Sequence, residues 1–119
     1  MLFRVDPSSG LPLGEQIAGC VRGAIADGSV RAGERLPSAR EVARSLGVNM
    51  HTVLRGYQQL RDEGLLELRR GRGAVVTGEA SPRRAQLADQ ARALVSDARA
   101  LGLTDGEVIA LVKASLTGG

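Results

Sequence analysis

The sequence is poor in aromatic residues, cysteine and histidine, and each shortage excludes a class of structure or site. Only 2% of the residues are aromatic, so the core must be built from leucine, valine, isoleucine and alanine. One cysteine cannot form an internal disulfide, and one histidine cannot supply a cluster of histidine metal ligands. We therefore expect no bound metal and no other cofactor.

Long apolar runs and common catalytic motifs are also lacking. No stretch approaches the roughly 18 apolar residues of a membrane span, and the N-terminus does not have the pattern of a signal peptide. The segment GRGAVV lacks the Lys-Ser/Thr ending of a phosphate-binding loop, and no G-x-S-x-G occurs. We expect a cytoplasmic protein that is not an enzyme and has no catalytic residues.

Arginine is plentiful, and its distribution along the chain is uneven. The formal net charge is +3, and 15 of the 16 basic residues are arginines. Residues 1–78 carry 11 arginines against 8 acidic residues, whereas residues 79–119 carry 5 basic and 5 acidic residues. A polyanionic partner would therefore bind the first part of the chain.

Apolar residues at helical spacing predict three helices in this first part. Pro12 suits the first turn of the first helix, and Gly28 suits its end. Ser38 and Glu41 form the S-x-x-E pattern of a capping box before a second helix, which Gly47 ends. A third helix, capped by Asn49, follows at once and runs to about residue 63.

Two short β-branched or alternating runs then predict a β-hairpin, because glycines flank an arginine at the turn, Gly71-Arg72-Gly73.

A turn-rich segment at residues 78–82 divides the chain into domains 1–78 and 79–119. The second domain is expected to be a helical hairpin whose apolar stripes need a partner surface. We predict that it mediates dimerisation through Leu87, Leu94, Val95, Leu101, Val108, Leu111, Val112 and Leu116.

Helix, glycine turn, helix and basic hairpin together indicate a mainly α-helical winged helix-turn-helix domain, in which the third helix enters the major groove of DNA. Outward-facing arginines neutralise phosphates or read guanine edges, which makes Arg40, Arg44 and Arg55 candidate contacts. Hydrogen bonds from Asn49, His51, Thr52 and Gln58 could serve either role.

Other conspicuous residues have simpler interpretations. Tyr57 shares the helical spacing of Val53 and Leu60 and is expected in the core, and Cys20 is expected to be a small buried apolar group. Exposed surface is the default for charged side chains. We expect it for Arg22, Arg31, Arg61, Arg92 and Arg99.

Residues 11–77 resemble the DNA-binding domain of the GntR family of bacterial transcription regulators. The motifs that carry the resemblance are G-x-R-L-P-S-x-R-E-V-A, L-G-V-x-x-x-T-V and E-G-L-L-x-x-x-x-G-R-G. The short tail resembles the YtrA-type subfamily, which implies dimerisation. The resemblance also implies DNA contacts at Arg40, Met50, His51, Thr52, Arg70, Gly71 and Arg72, although Met50 stands where many members have an arginine.

Three functions follow as alternatives. The first is a dimeric, sequence-specific transcription regulator, most often a repressor in the resembling family, on an inverted-repeat operator in double-stranded DNA. The second is a regulator with an unidentified small effector bound between the tail helices, where Asp89, Gln90, Asp97 and Arg99 are the main polar groups. The third is a winged-helix module for protein interaction, which would lack salt-dependent DNA binding.

Overall fold

The computed structural model describes residues 3–71 and 73–118, which form five helices and a two-stranded sheet. This mainly α-helical architecture with one β-hairpin is the predicted fold class. The elements are α1 (Leu13–Ala26), α2 (Ala39–Leu46), α3 (Met50–Asp62), β1 (Leu66–Arg69), β2 (Gly73–Val76), α4 (Pro82–Ala100) and α5 (Asp105–Thr117).

The chain forms two compact units, of which the first ends at Ala88 and the second begins at Asp89. The turn-rich segment of the sequence predicts an earlier boundary, at residue 78. The first unit extends further because Ala80 and Ala85 are buried in its core and Ala88 packs against that core. The start of α4 therefore belongs to the same unit as the helix-turn-helix.

The three predicted helix starts in the first unit are observed, with two differences in detail. Pro12 is the N-cap of α1 rather than a residue of its first turn. The side chain of Ser38 accepts a hydrogen bond from the backbone N–H of Glu41, as expected of a cap. The Glu41 carboxylate, however, accepts a hydrogen bond from the Ser38 hydroxyl rather than from its backbone N–H. The reciprocal capping box predicted here is thus only half formed, whereas the one between Thr104 and Glu107 is complete.

Helix α3 is the central element of the first unit and packs against α1, α2 and β1. Its buried residues Val53, Tyr57 and Leu60 meet an apolar cluster from the other elements, so the prediction that Tyr57 lies in the core is confirmed. Burial on this scale provides most of the free energy that holds an amphipathic helix in place. The cluster includes Ile17, Val21, Ile25, Leu36, Val42, Leu65, Leu66 and Val76.

Two expectations about single residues are wrong. Arg22 is expected on the surface, but only 3% of it is exposed, because its guanidinium is paired with Glu63 on the end of α3. Cys20 is expected to be buried, but it is half-buried, and its thiol donates a hydrogen bond to the carbonyl oxygen of Arg4. The N-terminal arm therefore lies along α1 at this point.

The β-hairpin is antiparallel, with Leu66 opposite Val76 and Arg69 opposite Gly73. Residues 33–36 extend it on the other side of β2. Within this extension the backbone N–H of Leu36 donates to the carbonyl oxygen of Ala74, and the N–H of Val76 donates to that of Glu34. The wing is thus anchored at its base by a third short segment.

In the second unit, α4 ends at a glycine turn and α5 follows after the Thr104 cap. Gly102 has φ of +80°, and the N–H of Leu103 bonds back to the carbonyl oxygen of Ala98, which is the pattern of a Schellman motif. No residue of α5 is buried in the single chain. Its apolar side chains are consequently left open to solvent.

Candidate nucleic-acid interface

The helix-turn-helix is built from α2, a short turn and α3. Gly47 adopts φ of +69°, a conformation that favours glycine, and the N–H of Val48 donates to the carbonyl oxygen of Ala43 to close the end of α2. The oxygen of the Asn49 side chain then accepts a hydrogen bond from the N–H of His51 and starts α3. A predicted DNA contact at Asn49 must therefore share this side chain with the helix cap.

Tyr57 connects α3 to the loop before α2. Its hydroxyl donates a 2.6 Å hydrogen bond to the carbonyl oxygen of Pro37, next to the Ser38 cap. Burial raises the pKa of the Tyr57 hydroxyl, and the nearby charge of Glu41 adds to this effect. The hydroxyl stays protonated and continues to donate throughout the physiological pH range.

The predicted contacts on α3 are not equally accessible. The side chains of His51, Arg55 and Gln58 are exposed, and Thr52 is half-buried. Met50 is also half-buried and packs against the core. Thr52 and Arg55 border an open groove that is also lined by Leu13 and Glu15 of the first turn of α1.

The arginines of the first unit fall into two groups that the sequence could not separate. Arg22 pairs with Glu63, Arg61 with Asp62, and Arg69 with Glu67 two residues away on β1. Another group is exposed and makes no ion pair within the described residues. Its members on the predicted DNA-binding elements are Arg40, Arg44, Arg55 and Arg70.

The wing and the start of α2 meet beside α3. Arg69 and Arg70 of the hairpin line one depression together with Leu54 of α3 and with Ser38 and Ala39, the two residues before Arg40. Gly71 has φ of +78° at the tip of the hairpin. The predicted contact at Arg72 lies outside the described residues.

Arg35 is a further exposed arginine without an ion pair among the described residues, and it is not one of the predicted DNA contacts. It forms an antiparallel bridge with Val75 at the base of the wing. A loop arginine has no periodicity, so nothing in the sequence alone indicated that it would join the sheet.

Most of the residues predicted for dimerisation are exposed in the single chain. Leu101 and Leu116 are the most open, with 80% and 78% of each residue exposed, whereas Val95 and Val108 are half-buried. Ile109 is exposed as well and was not predicted, although its spacing from Val112 fits the same helical stripe. Leu87 lies in the first unit and the other predicted residues in the second.

Two kinds of feature are absent from the part of the chain that the structure describes. It contains no group of three or more His, Cys, Asp or Glu residues arranged to hold a metal ion. Of the helices in residues 3–71 and 73–118, none has the length and apolar character needed to cross a bilayer.

Comparison with known proteins connects this geometry to a family. The family model described as "Bacterial regulatory proteins, gntR family" matches residues 13–76, which include the helix-turn-helix and the wing. An HTH-type transcriptional regulator of Mycobacterium tuberculosis is 37% identical, with 90% of this chain and 88% of the relative covered. The HTH-type transcriptional repressor YtrA of Bacillus subtilis is 31% identical, with 86% and 82% covered.

Solved structures agree with this assignment. YtrA from Sulfolobus acidocaldarius, a GntR-family transcription factor, superposes with a TM-score of 0.60 at 31% identity and covers 97% of both chains. The DNA-binding domain of AraR in complex with an operator has a TM-score of 0.56 at 26% identity, covering 62% of this chain and 92% of that one. The chain therefore belongs to the GntR family of bacterial regulatory proteins and is a YtrA-type, winged-helix DNA-binding transcription regulator.

Proposed function

We propose that the protein is a cytoplasmic repressor that binds an inverted-repeat operator as a homodimer. The observation that carries the proposal is the group of exposed arginines without ion pairs, which comes from α2, α3 and the wing. Because their charge is not neutralised by acidic neighbours in the described residues, these side chains are available for phosphates or guanine edges.

The proposed contacts divide by element. From α2, Arg40 and Arg44 bind backbone phosphates or bases beside the groove, and from the wing Arg70 and Gly71 reach the neighbouring backbone or minor groove. On α3, His51, Thr52 and Arg55 face the major groove. Met50 has only a partial role at the interface, since it also packs against the core.

The second unit supplies the proposed dimer contact. Exposed apolar residues on α5, among them Leu111 and Val112, have no buried neighbours on their own helix, so association with a second copy would remove them from water. An isologous pair would place two copies of α3 about 34 to 36 Å apart, in successive major grooves. The relative from Bacillus subtilis is named as a repressor, which supports the proposed sign of regulation.

The competing proposals have less support. Polar side chains that could bind an effector in the tail, such as Gln90, Asp97 and Arg99, are exposed. A catalytic role has no support from the relatives, which are named as transcription regulators. DNA binding without a required effector is therefore the function we propose.

Selection from a pool of random duplexes tests the proposal directly, because it reports binding, symmetry and half-site spacing together. We expect an enriched inverted repeat whose binding weakens steeply as the salt concentration rises. Arg40→Ala should lower the affinity, while Arg61→Ala serves as the matched control because Arg61 already pairs with Asp62. If the pool yields no enriched sequence, the proposed sequence-specific function is wrong.

A further inference from the structure

We propose that the buried ion pair between Arg22 and Glu63 is a positioning device, which sets the rotation of the recognition helix α3 against α1 and on which operator selectivity depends. The inference rests on the proposed function. It assigns a role to two residues that lie away from the predicted DNA contacts.

The pair has the geometry of a rigid connection. The Nε of Arg22 donates to Oε1 of Glu63 at 2.7 Å, and its Nη2 donates to Oε2 at 3.0 Å, so the two planar groups are held at two points. Oε2 also accepts a hydrogen bond of 2.8 Å from Nε2 of Gln59, one turn earlier on α3. With Arg22 only 3% exposed, solvent does little to weaken these contacts.

A second contact between α1 and α3 lies about two turns away. A Cβ atom added to Gly56 would be 2.7 Å from the carbonyl oxygen of Gly14, so the two backbones are nearly in direct contact. Between the contacts α1 advances from residue 14 to 22 and α3 from 56 to 63, which is about 10 to 12 Å along each axis at 1.5 Å per residue. The glycine contact sets the separation of the helices, and the ion pair sets the rotation and axial position of α3.

Stability alone is a poor explanation for this pair. Taking both charges out of water offsets much of their attraction, so an apolar pair of similar volume often gives equal or greater stability. The two helices already contribute the fully buried apolar residues Ile17, Val21 and Leu60 to one core cluster. Apolar contacts hold the helices together without direction, whereas the guanidinium of Arg22 donates two hydrogen bonds to a carboxylate in one orientation.

A change in the rotation of α3 would act selectively on DNA recognition. His51 and Arg55 lie on α3, of which Glu63 is the C-cap residue, so they would move together relative to the base edges. Arg40, Arg44 and Arg70 belong to α2 and the wing, so a rotation of α3 would act on them only through the contacts that α3 makes with those elements. Loss of the ion pair should therefore reduce selectivity between sequences more than it reduces affinity for DNA in general.

The test is a double variant, Arg22→Met/Glu63→Leu, that replaces the ion pair by apolar side chains. Binding is measured to a duplex selected by the wild-type protein from a random pool and to a scrambled duplex of equal composition. We expect about tenfold weaker binding to the selected duplex, a change of less than about threefold for the scrambled one, and an unchanged salt slope. Circular dichroism and denaturant unfolding should show that the variant is folded and has an unfolding midpoint at or above that of the wild type.

The matched control is Arg61→Met/Asp62→Leu, which removes an exposed pair at the same end of α3 and should keep the wild-type selectivity. A folded double variant at residues 22 and 63 with wild-type selectivity would overturn the positioning role. Should that variant not fold, Glu63→Gln is tested in its place. Unchanged selectivity of the Glu63→Gln variant would equally overturn the positioning role. If the wild-type protein enriches no duplex, the proposed function itself fails. If the wild-type protein enriches a duplex and the folded variant keeps the same selectivity, only the positioning role fails.

Discussion

The hydroxyl of Tyr57, in the middle of α3, donates a hydrogen bond to the carbonyl oxygen of Pro37, which lies just before α2. This single contact joins the recognition helix to the residue that precedes the Ser38 cap. The position of Arg40 in the first turn of α2 therefore depends on a side chain buried on the opposite side of α3 from the predicted base contacts.

Replacing Tyr57 by phenylalanine should destabilise the protein without opening a large cavity. The change removes the hydrogen bond and leaves the carbonyl oxygen of Pro37 without this donor, at a cost of about 1 to 2 kcal/mol in the free energy of unfolding. Denaturant unfolding measures this cost. An unchanged free energy of unfolding would show that the hydrogen bond contributes nothing to stability.

The raised pKa of Tyr57 predicts a loss of stability at alkaline pH. In the unfolded chain the hydroxyl ionises near pH 10, whereas the folded protein keeps it protonated because burial disfavours the charged form. The contribution is fully present below about pH 10 and is lost progressively as the pH rises above that value. The chain has one tyrosine and no tryptophan, so tyrosinate absorbance should appear only as the protein unfolds. Its appearance near pH 10 in folded protein would contradict the prediction.

Two glycine substitutions should have effects of opposite sign. Gly56→Ala places a Cβ atom 2.7 Å from the backbone of Gly14, so α1 and α3 must move apart, and we expect a loss of at least about 1 kcal/mol in stability together with weaker DNA binding. Gly23 lies in the exposed part of α1, and a Cβ atom added to it has no other atom within 4 Å. Gly23→Ala should stabilise the protein by about 0.5 to 1 kcal/mol, and thermal unfolding compares the two.

Removing single arginines should separate phosphate contacts from base contacts. Arg55→Ala is expected to cost about 1 to 3 kcal/mol of binding free energy and to change the preferred base at one position, because Arg55 is exposed on α3. Arg70→Ala should weaken binding to all sequences and reduce the salt slope by about 1. Titrations at several salt concentrations distinguish these outcomes, and no effect from either change would count against the proposed interface.

The proposed dimer predicts that a charge on the apolar stripe of α5 produces a monomer. Leu111 is 47% exposed in the single chain, and Leu111→Asp would force a carboxylate into the dimer contact. Ala110→Asp is the control, because residue 110 is exposed on the other side of the helix. Sedimentation should give the 12.4 kDa of one chain for the first variant and twice that mass for the second. A wild-type protein that is monomeric at micromolar concentration would rule out the proposed dimer.

Local signals in the sequence were sufficient for most of the fold. Helix boundaries followed from caps and glycines, since Ser38, Gly47 and Asn49 determine backbone hydrogen bonds within a few residues of themselves. The candidate contacts on α2 and α3 were predicted in the same way, because a helical period assigns each side chain to a face.

Apart from the half-formed capping box at Ser38, the main differences concern contacts between residues far apart in the sequence. Arg22 is separated from Glu63 by 41 positions, and nothing near Arg22 indicates a buried carboxylate partner. The extent of the first unit depends on Ala80 and Ala85, whose small side chains gave no strong apolar signal.

Local sequence also did not separate paired from unpaired arginines. Arg61 and Arg69 pair with acidic residues one and two positions away, whereas Arg40 stands next to Glu41 and makes no ion pair within the described residues.

The hydrogen bonds of residues 33–36 to β2 have a consequence for the energetics of DNA binding. An isolated pair of four-residue strands is at best marginally stable in water, so a free hairpin would have to become ordered when it met the duplex. Here the bonds between Leu36 and Ala74 and between Val76 and Glu34 keep the base of the wing in place beforehand. The conformational entropy is lost during folding rather than during association. The wing, which carries Arg70, is therefore already ordered when it meets the duplex.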